Sequence, residues 1–216
     1  MIKDEQVTVS VVGDLNNVQS YSRKQFYEEQ FSGNNKLAVH VVDIILFDTN
    51  GDMILQKRSH TKSHNPGLLD KSIGGHIVFG DTPNYTVMVE SIQELLTPSI
   101  AARGHKEFTK IFNLLRDYTE TISIVELKET REWTLNKLYD GKLMPVNNVV
   151  YMYFGVYDGR MRPADREAAG MLYYSYDRLR QEIAERPGDF TDDIIQMCNT
   201  YESEIIHFQN QIKSSK

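Results

Sequence analysis

The chain has 216 residues, within the range of one domain with appendages, and two equal domains are the less economical reading. Apolar residues at 40%, charged residues at 25%, 13 Gly and 6 Pro exclude a disordered or low-complexity chain. Twenty-four Lys and Arg against 30 Asp and Glu leave a charge of −6, without the broad positive field that binding to nucleic acid or an anionic membrane requires, so neither is expected as a partner. The single cysteine, Cys198, excludes an intramolecular disulfide and any multi-cysteine zinc site, and fits a reducing compartment. The opening Met-Ile-Lys-Asp-Glu-Gln has no apolar signal core, so a cytoplasmic protein is expected. No internal repeat is present, which removes solenoids and propellers.

Val7 to Val12 reads as a strand, followed by a polar turn at Gly13 to Asn17, and Tyr21 to Phe31 as a short helix. Leu37 to Phe47 is about half the roughly 20 residues that span a bilayer, and His40 and Asp43 interrupt it, so it reads as a buried strand. Asn50-Gly51 suits a hairpin turn into a second strand from Met53 to Gln56. A loop with Pro66-Gly67 leads into the glycine-rich stretch Leu68 to Gly80.

Thr82 can cap a helix whose first position is Pro83, and Pro98 stops it near Leu96. At 3.6 residues per turn, Tyr85, Met88, Val89, Ile92, Leu95 and Leu96 form an apolar face expected to anchor the helix, with Glu90, Gln93 and Glu94 opposite and free to bind. Phe108, Ile111, Phe112 and Leu115 have helical spacing; Ile122 to Leu127, Val149 to Val156 and Met171 to Tyr176 read as strands, and Asp177 to Glu185 as a helix. From Thr191, Ile194, Cys198, Tyr201, Ile205, Phe208 and Ile212 make an apolar seam, which either docks on the chain's own core or pairs across a two-fold axis in a homodimer.

Chemistry concentrates at Gly75-His76-Ile77-Val78-Phe79-Gly80-Asp81 and, seven residues on, Val89-Glu90-Ser91-Ile92-Gln93-Glu94. Glu90 and Glu94 stand one turn apart, and hard cations such as Mg²⁺ take one or two carboxylates together with substrate phosphates. The plain alternative is a solvated helix face. Lys57, Arg58 and Lys62 are candidates for holding phosphate, or else cations guarding a hairpin edge. His60 and His64 lie in a loop, where the helical HxxxH zinc geometry is not expected.

The segment resembles the Nudix box, G-x5-E-x7-R-E-U-x-E-E-x-G-U, in which U is a bulky aliphatic residue. Gly75, Glu90 and Glu94 match, and Asp81 replaces the first Glu. Val89, Ser91, Gln93, Leu96 and Thr97 depart from the pattern. The upstream run Ile54 to Ser59, with Lys62, Pro66-Gly67, Asp70 and Ser72 to His76, is similar to the branch that includes isopentenyl-diphosphate isomerase-like proteins and related hydrolases. The chain as a whole is read as an N-terminal extension over 1–35, a Nudix-like domain over 36–189 with an insertion around 100–148, and a C-terminal helix over 190–216 packed on the domain. The resemblance covers roughly residues 36–97 and implies an α/β/α sandwich with a mixed β-sheet; it does not explain residues 1–35, about 100–148 or the C-terminal helix.

It also implies bound Mg²⁺ or Mn²⁺, with Glu90, Glu94, Gln93 and Asp81 as metal-site residues, and Gly75, His76, Arg58, Lys57 and Lys62 facing the phosphates. Glu167, in a loop after a strand, matches the family's later acidic position and is the candidate base, with Glu107 the weaker one; the plain alternative for either is a surface carboxylate. The implied activity is hydrolysis of a diphosphate linkage in a nucleoside diphosphate derivative or related small-molecule diphosphate. The second reading is a catalytically silent Nudix-like module that binds such a ligand for regulation. An isomerase of the resembled family relies on a cysteine near the Gly-His position, where this chain has Ser72-Ile73-Gly74-Gly75. The loops around 100–148 are expected to read the leaving group.

Overall fold

The computed structural model describes residues 5–161 and 168–214. Ten strands share one sheet: β1 (Gln6–Val11), β2 (Asp14–Ser22), β3 (Leu37–Phe47), β4 (Met53–Arg58), β5 (Leu69–Asp70), β6 (Ile73–His76), β7 (Ser99–Ala102), β8 (Ser123–Tyr139), β9 (Lys142–Val156) and β10 (Ala168–Tyr174). The helices are α1 (Arg23–Phe31), α2 (Pro83–Leu95), α3 (His105–Leu115), α4 (Tyr176–Glu185), α5 (Asp192–Thr200) and α6 (Glu202–Ser214).

The main path runs β10-β4-β3-β9-β8-β7, with β3–β9 and β7–β8 parallel and the other pairs antiparallel. β3 is covered on both faces, which is why it reads as a continuous apolar run. Val39, Val41, Ile45 and Phe47 enter the larger core, with α3, α5 and α6. Val42, Ile44 and Leu46 enter the smaller core, with Val87 and Leu95 of α2. The expected mixed α/β/α sandwich is what forms.

β3 meets β4 only at Leu46–Ile54 and Phe47–Met53. Beyond that point β6 takes over the edge of β3 at residues 41–44, and β5 takes the edge of β4 at Gln56 and Lys57. Ser72 closes the seam, accepting from the Leu46 N–H at 2.8 Å and donating to the Ile54 carbonyl. The two strands therefore diverge, and a cavity opens in the gap.

Several elements differ from the sequence reading. Asp14–Ser22 is a strand, where the sequence reads a turn at Gly13 to Asn17 and a helix from Tyr21: most of its side chains are exposed, and it is held by its pairing with β1 and by Tyr21, which packs on the larger core. Residues 100–148 contain α3 and most of a long β8–β9 hairpin, closed at Asp140-Gly141 with φ of 47° and 77°, the backbone that this dipeptide favours in a two-residue turn.

Four of the six residues of the expected stripe on α2 are turned outward, while Leu95 meets the core as expected. Tyr85, Met88, Ile92 and Leu96 are exposed, whereas Thr86, Val87, Ser91, Glu94 and Leu95 are buried. The small side chains of Ser91 and Thr86 let the helix lie close to β3, β6 and β7 while its glutamates face the cavity. Periodicity identified the helix but not which side meets the sheet. Its start is as expected, with Thr82 Oγ1 accepting from the Tyr85 N–H at 3.2 Å and Pro83 at the first position.

The C-terminal seam is filled within the chain. Ile194, Cys198, Tyr201, Ile205, Phe208 and Ile212 are all buried, and the predicted single helix breaks at Tyr201 into α5 and α6. Phe208 packs on Phe47, Phe108 and Phe154 with ring centroids 5.1, 5.2 and 5.7 Å away. The feature that suggested a homodimer thus docks on the chain's own core. Phe208→Ala is expected to cost about 3–5 kcal/mol in urea unfolding, the range for a buried Phe truncated in a close-packed site. A loss below about 1 kcal/mol would show that the tail is not part of the core.

Candidate active site

The cavity between β3 and β4 has a volume of about 230 Å³ and a strongly polar wall. Glu90, Gln93 and Glu94 reach it from α2, Gly74, Gly75 and His76 from β6, and Gln56 and Arg58 from β4. Glycine at 75 has a steric cause: a Cβ there would lie 1.9 Å from Glu90 Oε1, so the carboxylate occupies the volume that any side chain would fill. Glu94 is buried and accepts a 3.1 Å hydrogen bond from Gln56 Nε2.

The floor is a buried ion cluster. Lys71 Nζ lies 2.6 Å from Asp193 Oδ1, 3.2 Å from Asp43 Oδ1 and 3.5 Å from Asp70 Oδ1. Arg58 Nη1 binds Asp70 at 2.9 Å, its Nε and Nη2 bind the His64 carbonyl, and Thr191 Oγ1 donates to Asp70 at 2.9 Å. Lys71 and Arg58 hold Asp70 below the usual carboxylate range against its burial. Burial pushes Asp43 up to about 7, and the carboxylates around Lys71 hold its ammonium well above its ordinary range despite burial.

At its mouth the cavity joins a second of about 760 Å³, with Glu5, Arg23, His64 and Lys137 lining both. Tyr27 and Phe31 of α1 and Tyr139 at the hairpin tip wall this outer space. Tyr27 OH lies 2.8 Å from His76 Nε2 and accepts from Lys137 Nζ at 3.2 Å, while its ring stacks on His64 at 6.4 Å. Burial lowers the pKa of His76 well below the ordinary value and that of His64 to about 2, so both rings are neutral near pH 7.

Of the residues expected from the sequence, Glu90, Gln93, Glu94, Arg58, Lys62, Gly75 and His76 line this cavity. Lys57 does not: strand alternation turns it away from Gln56 and Arg58, and it stands opposite Leu69 and Gly170 in its ladders. Asp81 is exposed in the turn before α2 and lines neither cavity. Glu107 caps its own helix start and pairs with Arg103 at 2.7 Å, which holds it at about 2, and it too is outside both cavities. Glu167 lies outside the described residues.

Sequence reading missed Asp43, Gln56, Asp70, Lys71, Asp193, Tyr27 and Lys137. Asp43 carried a signal, as a carboxylate inside an apolar strand. Asp193 and Tyr27 carried none, because they come from the two ends of the chain.

Hard oxygen donors suit a divalent cation, and the cradle that Gly75 provides for Glu90 fits such a role. Among the described residues no group of three or more His, Cys, Asp or Glu converges as a metal cluster. Glu90 and Glu94, with Gln93 beside them, are the residues lining this cavity that could hold such a cation.

No protein-family model matches the chain. It is 23% identical over 187 residues to an isopentenyl-diphosphate Delta-isomerase of Serratia proteamaculans, covering 87% of this chain and 86% of that one. It is 27% identical over 100 residues to a Nudix hydrolase of Yersinia pestis, covering 46% of this chain and 52% of the other. The solved structure of DR0079 from Deinococcus radiodurans superposes with a TM-score of 0.52 at 18% identity, over 84% of this chain and 90% of that one. The chain has the Nudix fold. Gly75, Glu90 and Glu94, the residues that resemble the Nudix box, lie together at this cavity, and the departures at Gln93 and Ser91 fall on the same helix. No helix among the described residues is long and apolar enough to cross a membrane.

Two outcomes follow from this geometry. Gly75→Ala is expected to expel Glu90 and weaken Mn²⁺ binding by about ten- to hundredfold, the range for losing the support of a metal ligand, read by the electron paramagnetic resonance of free Mn²⁺. Equal binding by both proteins would show that Glu90 is not a ligand.

The second outcome concerns pH. Burial keeps His40 (at about 4), His64 and His76 neutral, whereas unfolded imidazoles titrate near 6.5. Their contribution to stability is complete above that value and is lost as pH falls through it, because the unfolded chain then binds more protons. Asp43 acts oppositely between about 7 and its ordinary 3.8, with one proton against three. The urea midpoint should therefore fall from pH 7 to pH 5; a rise would mean that Asp43 dominates.

Proposed function

We propose that the protein is a Nudix-type, metal-dependent hydrolase that cleaves a diphosphate linkage in a nucleoside diphosphate derivative or a related diphosphate. The observation that carries this reading is the Glu90 carboxylate seated against Gly75 beside Glu94, in a cavity whose lining also includes Arg23, Lys62 and Lys137. The Nudix relative and the fold support a hydrolase of this general type.

Glu90 and Glu94, with Gln93, would hold Mg²⁺ or Mn²⁺, which when bound polarises a phosphoryl oxygen and acidifies a water. Lys62 and Lys137 supply positive charge at the cavity wall and mouth. Arg58 is committed to Asp70 and to the His64 carbonyl, so its role is to hold the loop and not to fork a phosphate. The outer cavity, walled by Tyr27, Phe31 and Tyr139, suits the organic group attached to the diphosphate. That group is met by α1 and the hairpin tip; of the stretch 100–148, Lys137 and Tyr139 line this outer cavity and Asn148 lines the inner one.

The isomerase relative spans most of the chain, but the thiol that such an activity relies on in the resembled branch has no counterpart here. Cys198 is buried in the larger core, its pKa pushed up to about 12 by burial, and it lines neither cavity. The catalytically silent module remains the second reading, favoured by Gln93 in place of a carboxylate.

The test is phosphate release from nucleoside diphosphate sugars, dinucleoside polyphosphates, nucleoside triphosphates and pyridine dinucleotides with Mg²⁺ or Mn²⁺, using a coupled phosphatase. Wild type is expected to turn over one class, and Glu94→Gln to lose about a hundredfold or more in kcat. Equal inertness of both proteins, with a diphosphate still raising the melting temperature, would replace the hydrolase with the binding module.

A further inference from the structure

Asp43 sits in the middle of β3, opposite Gly74 of β6, and lines the same cavity as Glu90 and Glu94. It is 1% exposed, and among the described residues neither of its carboxylate oxygens takes a hydrogen bond. Its counter-ion, the Lys71 ammonium, is 3.2 Å from Oδ1.

The three aspartates around Lys71 are unequally compensated. Asp70 has the Arg58 guanidinium, the Thr191 hydroxyl and the Lys71 N–H. Asp193 has the shortest contact to Lys71, at 2.6 Å. Asp43 shares its cation with two other carboxylates and is buried in the wall of the cavity. A buried carboxylate with unused lone pairs beside a reaction cavity is placed to accept a proton.

We propose that Asp43 is the base of this site, taking the proton of the water that attacks phosphorus. The inference rests on the hydrolase reading. In the step, the water oxygen forms a bond to phosphorus and one of its protons passes to an Asp43 oxygen. The bridging P–O bond breaks, its electron pair leaves on the departing phosphate, and Asp43 later returns the proton to solvent. Burial holds this carboxyl near neutrality, which matches the protonation range such a base needs. The charged and titratable groups facing it are Lys71 and Asp70 from the β5–β6 segment, Asp193 from α5, Arg58 from β4, His76 from β6, and Glu90 and Glu94 across the cavity.

Asp193 acts through Lys71 as a positioning residue. Its negative charge raises the Asp43 pKa directly, and its grip on Lys71 keeps the ammonium from serving Asp43 alone. Removing that carboxylate therefore moves Asp43 toward lower pKa on both counts.

The experiment is the pH profile of kcat and KM for the full chain on the substrate class that the panel finds, for wild type, Asp43→Asn and Asp193→Asn, with circular dichroism of each. Wild type should show a one-proton fall in kcat on the acid side. Asp43→Asn should lower kcat about a hundredfold or more, leave KM within a few-fold and abolish that limb. Asp193→Asn should retain a limb displaced to lower pH, an effect that a purely structural role would not produce.

An Asp43→Asn enzyme that keeps its kcat and its acid limb would overturn the assignment. If Asp43→Asn does not fold, an unmoved limb in Asp193→Asn overturns it and a displaced limb supports it. Should wild type itself be inert toward every diphosphate, the hydrolase reading fails first and the base assignment falls with it.

Discussion

A lysine ammonium buried among three carboxylates is expensive to assemble and hard to disassemble, since removing one member leaves uncompensated charge in a dry interior at a cost of about 3–5 kcal/mol. Lys71, with Asp43, Asp70 and Asp193, is that assembly here, and it joins the central strand, the short edge strands and a C-terminal helix at one point. Gly74 belongs to it as well, because a Cβ there would lie 2.3 Å from Lys71 Cε. Two adjacent glycines thus clear paths for two charged side chains, Lys71 over Gly74 and Glu90 against Gly75. The position of the cavity between β3 and β4 depends on both paths remaining open.

That arrangement divides labour between the two faces of the sheet. The smaller core under α2 carries the glutamates to the rim, while the larger core brings the C-terminal helices close enough for Asp193 to reach the floor. The chain ends complete the cavity: α1 supplies Tyr27 at the mouth and α5 supplies Asp193 at the base. The N-terminal extension and the C-terminal helix α5 therefore build parts of this cavity.

Much of the fold was legible because local rules and burial agreed. β3 declared itself by eleven residues of mostly apolar sequence, and α2 by Thr82, Pro83 and the stop before Pro98. The Gly75, Glu90 and Glu94 spacing marks three residues that meet at one cavity. Where local rules pointed elsewhere, the reading failed for identifiable reasons. β2 has no apolar face, so only its partner strand reveals it. Most of the apolar stripe of α2 faces solvent because the other side of the helix is needed by the cavity, a demand that periodicity cannot register.

By itself, then, the sequence determined the fold class, the capped helix that carries the glutamates and the glycine that one of them requires, because each rests on contacts between residues near in the chain or on a recurring spacing. Only the tertiary structure decided which face of α2 looks inward, that Lys57, Asp81 and Glu107 stand outside the site, and that Asp43, Lys71 and Asp193 meet within it. Those outcomes depend on approaches between segments as far apart as β3 and α5, where charge compensation and shape, with no local pattern to record them, settle which groups are neighbours.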